Sequence, residues 1–196
     1  MAIVNGYCTL AQVKAALRLT DSVDDTLLEQ AIEGSSRRID GYCGRFFYQQ
    51  SATISLFANN ILTLPVQDLV SITTLKTDNN ADGVFEITWS VSDYFLEPTN
   101  TVLQTRPYSR ITAYAGKTFP MVFAPPQPLV QVNGVWGWSA VPDDVEQACI
   151  LLSIRSFARL NAALGVVGFA DMAIQVRSID PDVRDLLMPY KIVGIA

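Results

Sequence analysis

The stretch Val130-Gln131-Val132-Asn133-Gly134-Val135-Trp136-Gly137-Trp138-Ser139-Ala140-Val141-Pro142-Asp143-Asp144-Val145-Glu146-Gln147-Ala148-Cys149 decides the fold. Val130 and Val132 alternate with Gln131 and Asn133, the period of a strand. Gly134 and Gly137 free the backbone around Trp136 and Trp138, and Pro142 sets the φ of a first helical position. Asp143 and Asp144 then put carboxylates at the positive end of a helix dipole. A strand therefore runs through an aromatic-glycine corner into a helix, with a β module before it and a long helix after it.

Upstream, residues 46–135 are rich in Val, Ile, Thr, Phe and Tyr, and prolines from Pro65 to Pro128 punctuate short runs. Val70–Lys76 and Val84–Trp89 read as a hairpin, because Phe85, Ile87 and Trp89 alternate with Glu86 and Thr88. Its turn, Asp78-Asn79-Asn80-Ala81-Asp82-Gly83, has the residues that tolerate positive φ. Further strands are expected at 53–57, 61–64, 93–97, 110–115 and 129–135, in a mostly antiparallel sheet. Downstream, Val145–Leu160 is apolar on several sides (Val145, Cys149 and Leu152, but also Leu151, Ile154 and Ala158). That pattern predicts a central helix touching more than one neighbour. A loose apolar loop at 161–171, with Gly165 and Gly168, leads to a last short helix, with Asp180 as cap and Pro181 as first residue.

At the other end, Thr9-Leu10-Ala11-Gln12 has the form of a capping box opening a short helix through Val13, Ala16 and Leu17. Thr20–Asp25 is a polar joint that also caps the next helix. From Asp25 to Cys43 one stripe at helical period carries Leu28, Ile32, Ile39 and Cys43, and Gly44 suits the left-handed residue that ends the helix. The fold class read from these patterns is α+β: a helical platform of about four helices carrying a large antiparallel β insertion. The expected parts are 1–45, 46–135 and 136–196, with the first and last packing as one domain.

Composition excludes several functions. A net charge of −5 and a pI near 4.6 argue against a protein that grips nucleic-acid phosphates. No apolar run is long enough for a membrane span, and the N-terminus does not have the form of a secretory signal. Histidine is absent, which removes Ser-His-Asp and Cys-His catalysis. Cys8, Cys43 and Cys149 are odd in number and far apart, a pattern of reduced buried thiols rather than a disulfide framework or zinc site. Asp24/Asp25 and Asp143/Asp144 sit where helix caps belong, not where paired catalytic carboxylates would converge. Asp78, Asn80, Asp82 and Gly83 match the first half of a calcium loop, but the closing bidentate Glu is replaced by Trp89. The expectation is no catalytic residue, no cofactor and no metal. Arg37-Arg38 and the pair Arg155 and Arg159 read as helix-face or intersubunit salt-bridge residues.

The runs Cys8-Thr9-Leu10-Ala11-Gln12-Val13-Lys14, Asp24-Asp25-Thr26-Leu27-Leu28-Glu29-Gln30-Ala31-Ile32 and Ile39-Asp40-Gly41-Tyr42-Cys43-Gly44-Arg45-Phe46-Phe47 resemble the head–tail connector (adaptor) proteins of long-tailed bacteriophages. The corner Gly134–Trp138, the run Val141–Val145 and the ending Asp180–Tyr190 are similar too, in the same order along the chain. The resemblance implies a structural virion protein of the neck, made in the bacterial host cytoplasm. It further implies a twelve-fold ring between the portal protein and a stopper or tail-completion protein, with DNA passing through the lumen without sequence-specific binding. The expected interface residues are Tyr190, Ile192, Val193 and Ile195 of an extended apolar tail, together with Arg155, Arg159, Trp136 and Trp138. The competing reading is a β-rich ligand-binding or adhesion module of a phage or bacterium, using the 78–83 turn or exposed Trp and Tyr of the β region; an enzyme working through carboxylates is a more distant one.

Overall fold

The computed structural model describes residues 3–101, 105–121, 127–160 and 181–192. The expected loop at 161–171, the cap Asp180, and Val193 and Ile195 lie outside the described residues. The chain divides into two compact units, one from Met1–Phe47 and Val141–Ala196, the other from Tyr48–Ala140. Among the described residues no helix is long and apolar enough to cross a membrane.

In the first unit, α1 (Leu10–Leu17) opens with the expected capping box: Gln12 N donates to Thr9 Oγ1 at 3.2 Å, and Thr9 N donates to Gln12 Oε1 at 2.7 Å. Helix α2 (Asp25–Cys43) buries Leu28, Ala31, Ile32, Ser35, Ser36, Ile39 and Cys43, one stripe at helical spacing. Gly44 ends it at φ 70°, where a Cβ would be strained, and its N–H returns to Asp40 O at 2.8 Å. The joint before α2 differs from expectation. Asp24 makes no side-chain cap bond, and it is Asp25 that is engaged, with Lys14 Nζ at 2.6 Å.

Helix α3 (Asp143–Leu160) packs against α1, α2 and α4 (Pro181–Leu187). It buries Val145, Ala148, Cys149, Leu152 and Ser153, whereas Leu151 remains 36% exposed. So α3 is central, but one of its apolar faces is open. Buried Ser36 and Ser153 satisfy their hydroxyls on carbonyls four residues back, Ile32 O at 2.8 Å and Cys149 O at 2.7 Å. After α4 the chain does not become extended at Pro189. A 3₁₀ turn over Met188–Tyr190 comes first, and Lys191 is extended.

Tyr7 fastens the N-terminal segment to α2. Its hydroxyl donates to Asp40 Oδ1 and accepts from Phe47 N at 2.8 Å, its N–H donates to Ser36 Oγ at 3.1 Å, and its ring meets Phe47 edge-on at 5.6 Å. Burial pushes the Tyr7 hydroxyl well above its ordinary value and pushes the Cys43 thiol up to about 11. Both are neutral in the fold, while an unfolded chain releases these protons from about pH 9 to 10. Their contribution to stability is therefore full below pH 9 and is lost as pH rises toward 11. Urea melts at pH 8 and pH 11 should show this decline, and Cys43→Ala should flatten it; an equal slope in the variant would contradict the assignment.

The second unit is one antiparallel sheet with strand order β1 (Gln50–Leu56), β6 (Val130–Trp136), β2 (Thr63–Thr77), β5 (Tyr108–Ala113), β4 (Tyr94–Glu97). A short β3 (Ile87–Trp89) pairs with the end of β2, Leu75 opposite Trp89. The separate strands expected at 61–64 and 70–76 are a single long β2. Its first part pairs with β5 and its second with β6, and the register shifts between Pro65 and Leu69. Asp68 turns this bulge at φ 53°, and Gly137 N donates to its carbonyl at 2.6 Å. Leu64, Leu69, Leu75, Ile111, Val130 and Val132 are buried, and Trp89 stacks on Phe119 at 4.8 Å.

Candidate assembly surfaces

The open face of α3 lines a cleft against α4. Asp144, Gln147 and Leu151 come from α3, at spacings of three and four that put them on one side of the helix, and Asp182, Asp185 and Leu186 come from α4, with Pro189 after it. The cleft encloses about 590 Å³. Exposed carboxylates of Asp144, Asp182 and Asp185 surround an apolar floor of Leu151, Leu186 and Pro189. An acidic rim around apolar surface suits a partner that brings both a cation and a hydrocarbon stem.

The same unit carries the complementary sign. Arg38 of α2 lies within electrostatic reach of Arg155 of α3, as does Arg159 one turn along α3, while Asp182 partly offsets them. Burial first, then Arg159 and Arg38, push the Arg155 guanidinium below its ordinary value. Arg38 is exposed, and Arg155 and Arg159 are half-buried.

The other expected interface residues are placed differently. Trp136 and Trp138 are buried, 4% and 3% exposed, and Trp136 Nε1 donates to Ala52 O at 3.0 Å. Tyr190 donates to Asp144 Oδ2 at 3.0 Å and meets the Phe47 ring edge-on at 5.7 Å. Lys191 Nζ sits 5.1 Å over the Tyr42 ring, and Ile192 N donates to Cys43 O at 2.9 Å. The first three residues of the expected arm are thus held by the helical unit itself. Leu151, Asp182 and Asp185 were missed as site residues. The α3 half of the cleft had a signal in the spacing of Asp144, Gln147 and Leu151; the α4 half had none, since nothing local tells which helices meet.

The 78–83 turn also gains a member. Asp78, Asp82 and Glu86 bring carboxylate oxygens within 4.8 Å of one another. Asp78, fully buried, spends both oxygens on the turn, accepting from Ala81 N at 2.7 Å and Gly83 N at 2.8 Å, and Asp82 Oδ1 accepts from Val84 N at 2.8 Å. The position of a closing Glu is held by buried Trp89. A thermal melt should be unchanged by calcium or by a chelator; a rise of several degrees with calcium would overturn the reading of a self-satisfied turn.

With this geometry in place, residues 7–79 match the family of phage gp6-like head-tail connector proteins. The matched residues make up less than half of the chain. They contain α1, α2, Tyr7 and the first two strands. No curated protein sequence matches the chain. Among solved structures, a chain from the neck of an empty gene transfer agent (GTA) particle, computed with C6 symmetry, aligns with 22% identity and a TM-score of 0.58, covering 100% of this chain and 95% of that one. A chain from the neck of the native GTA particle, computed with C12 symmetry, aligns with 24% identity and a TM-score of 0.57 over 100% of this chain and 94% of that one. A chain from the virion of the native particle gives 22% identity and 0.57 over 100% and 95%. The fold shared with these chains therefore extends over the β unit as well as the helices.

Proposed function

We propose that this chain is a structural head-to-tail adaptor, without enzymatic activity, that closes into a twelve-membered ring in the virion neck between the portal and a stopper or tail-completion protein. The observation that carries this reading is the connector match over residues 7–79, joined to a neck-protein fold that aligns with all of the chain. The neck of similar fold computed with C12 symmetry supports twelve copies. A subunit charge of −5 suits a ring through which DNA slides, since each basic contact to phosphate would have to be broken during passage.

The α3–α4 surface supplies a head-to-tail contact of the kind a ring requires, with different patches meeting at each joint. In our reading Arg38, Arg155 and Arg159 of one copy face Asp144, Asp182 and Asp185 of the next, over the apolar floor. Trp136 and Trp138 shape the corner between β6 and α3 and take no part in the joint. The docking arm toward the portal starts after Ile192 and uses Val193 and Ile195.

Removing the gene from a producing strain should yield filled or empty heads and separate tails, with joining restored by the intact chain; tailed particles of normal yield would refute the adaptor role. The arm has its own test. Deleting residues 193–196 should leave the melt unchanged and abolish attachment to portal-bearing heads. Deleting 190–196 should also cost about 2 kcal/mol in a denaturant melt, because the hydrogen bonds of Tyr190 and Ile192 are lost as well. Equal stability of the two truncations would contradict this division of the tail.

A further inference from the structure

Cys8 and Cys149 are 141 positions apart in sequence, yet their sulfurs are 3.2 Å apart, with Cys8 5% exposed and Cys149 fully buried. Cys8 lies on the segment that Tyr7 ties to α2, just before the capping box of α1, and Cys149 lies mid-way along α3. Ser36 Oγ is 3.4 Å and Ser153 Oγ 3.9 Å from the Cys149 sulfur, so it sits in a polar notch of the core. A disulfide needs its sulfurs at about 2 Å, so closure brings the two sulfurs roughly 1 Å closer together. The third thiol, Cys43, is equally buried near the end of α2.

We propose that Cys8 and Cys149 are an oxidisable pair, reduced when the chain is made and closed to a disulfide by peroxide once the particle is outside the cell. The timing rests on the virion assignment above, because a cytoplasm keeps thiols reduced and the extracellular medium does not. The hydrogen bond donated by the Cys8 thiol draws Cys149 below the ordinary thiol range and raises Cys8, which makes Cys149 the attacking thiolate. The Cys149 sulfur takes one oxygen of hydrogen peroxide as the O–O bond breaks, forming a sulfenic acid and, after proton transfer, one water. The Cys8 sulfur then attacks the Cys149 sulfur; the S–O bond breaks, the S–S bond forms and a second water leaves. Two thiols lose two electrons and two protons, and one peroxide becomes two waters. The bridge joins the start of the helical unit to its central helix and removes freedom from the unfolded chain across the whole β insertion.

The test uses the purified full-length chain with hydrogen peroxide, followed by alkylation of remaining thiols in denaturant and peptide mapping. The expected result is a Cys8–Cys149 linked peptide, Cys43 still alkylated, and a melting temperature several degrees higher that reverts with dithiothreitol. A Cys8→Ser variant should show no peroxide-dependent rise. Bridges involving Cys43, or peroxide treatment that leaves Cys8 and Cys149 both alkylated, would overturn the proposal. Mapping the same peptides from released particles tests the timing, and two reduced thiols there would overturn it. The purified chain needs no ring, so failure of the adaptor reading would leave the bridge result standing.

Discussion

Gly134→Ala should lower the stability of the β unit by about 3 kcal/mol, the largest effect expected of a single methyl group in this chain. Gly134 sits in β6 between two strands, opposite Ala52 of β1 and Ile72 of β2. A Cβ there would lie 2.2 Å from Ser71 O and 3.3 Å from Ile72 Cα. Both are backbone atoms of a paired strand, and they cannot yield as the end of a flexible side chain can. Trp89, Trp136 and Trp138 are the protein's three tryptophans and all belong to the β unit, so tryptophan fluorescence reads that unit alone. The denaturation midpoint by fluorescence should fall sharply in the variant. An unchanged midpoint would mean that β6 and β2 are not so close.

Reversing Arg38 and Arg159 should destroy assembly while sparing the fold. Arg38→Glu with Arg159→Glu leaves half-buried Arg155 in place, since it lies within reach of Asp182 in its own chain. A melt should change little, because Arg38 is exposed and Arg159 is only half-buried. Each joint in the ring would lose on the order of 1 kcal/mol or more, and the loss is repeated at every joint, so closure fails. Heads carrying this variant should lack tails. Adding Asp182→Arg and Asp185→Arg on the same chain restores opposite signs across the joint and should recover joining, the coupling that distinguishes a direct contact from general damage. Lack of rescue, or normal joining by the first variant, would contradict the proposed contact.

Local chemistry carried much of the fold. The capping box at Thr9, the stripe on α2, the stop at Gly44 and the passage from β6 into α3 each depend on residues within a few positions of one another. Where the decisive contact was distant, sequence said less or misled. Gly134 was read as freeing the corner at Trp136, but its role is to admit the carbonyl of Ser71. Strand β2 was split at Pro65, where a missing N–H suggests an end; the bulge turned by Asp68 lets the strand continue instead. Leu151 adds an apolar side to a helix expected to touch several neighbours, but only the packing of α3 shows that this side is the open one. The nearness of Cys8 to Cys149 has no counterpart in their spacing. The tail was apolar enough to suggest an arm, but composition could not reveal that Tyr190 and Ile192 bind the same helical unit first.

The central claim is the ring, and a reconstruction of the neck of assembled particles at side-chain resolution tests it most directly. The account predicts twelve copies around the DNA path, with Arg38, Arg155 and Arg159 of each copy against Asp144, Asp182 and Asp185 of the next. One to three copies in the particle, or α3 and α4 facing only solvent, would contradict it.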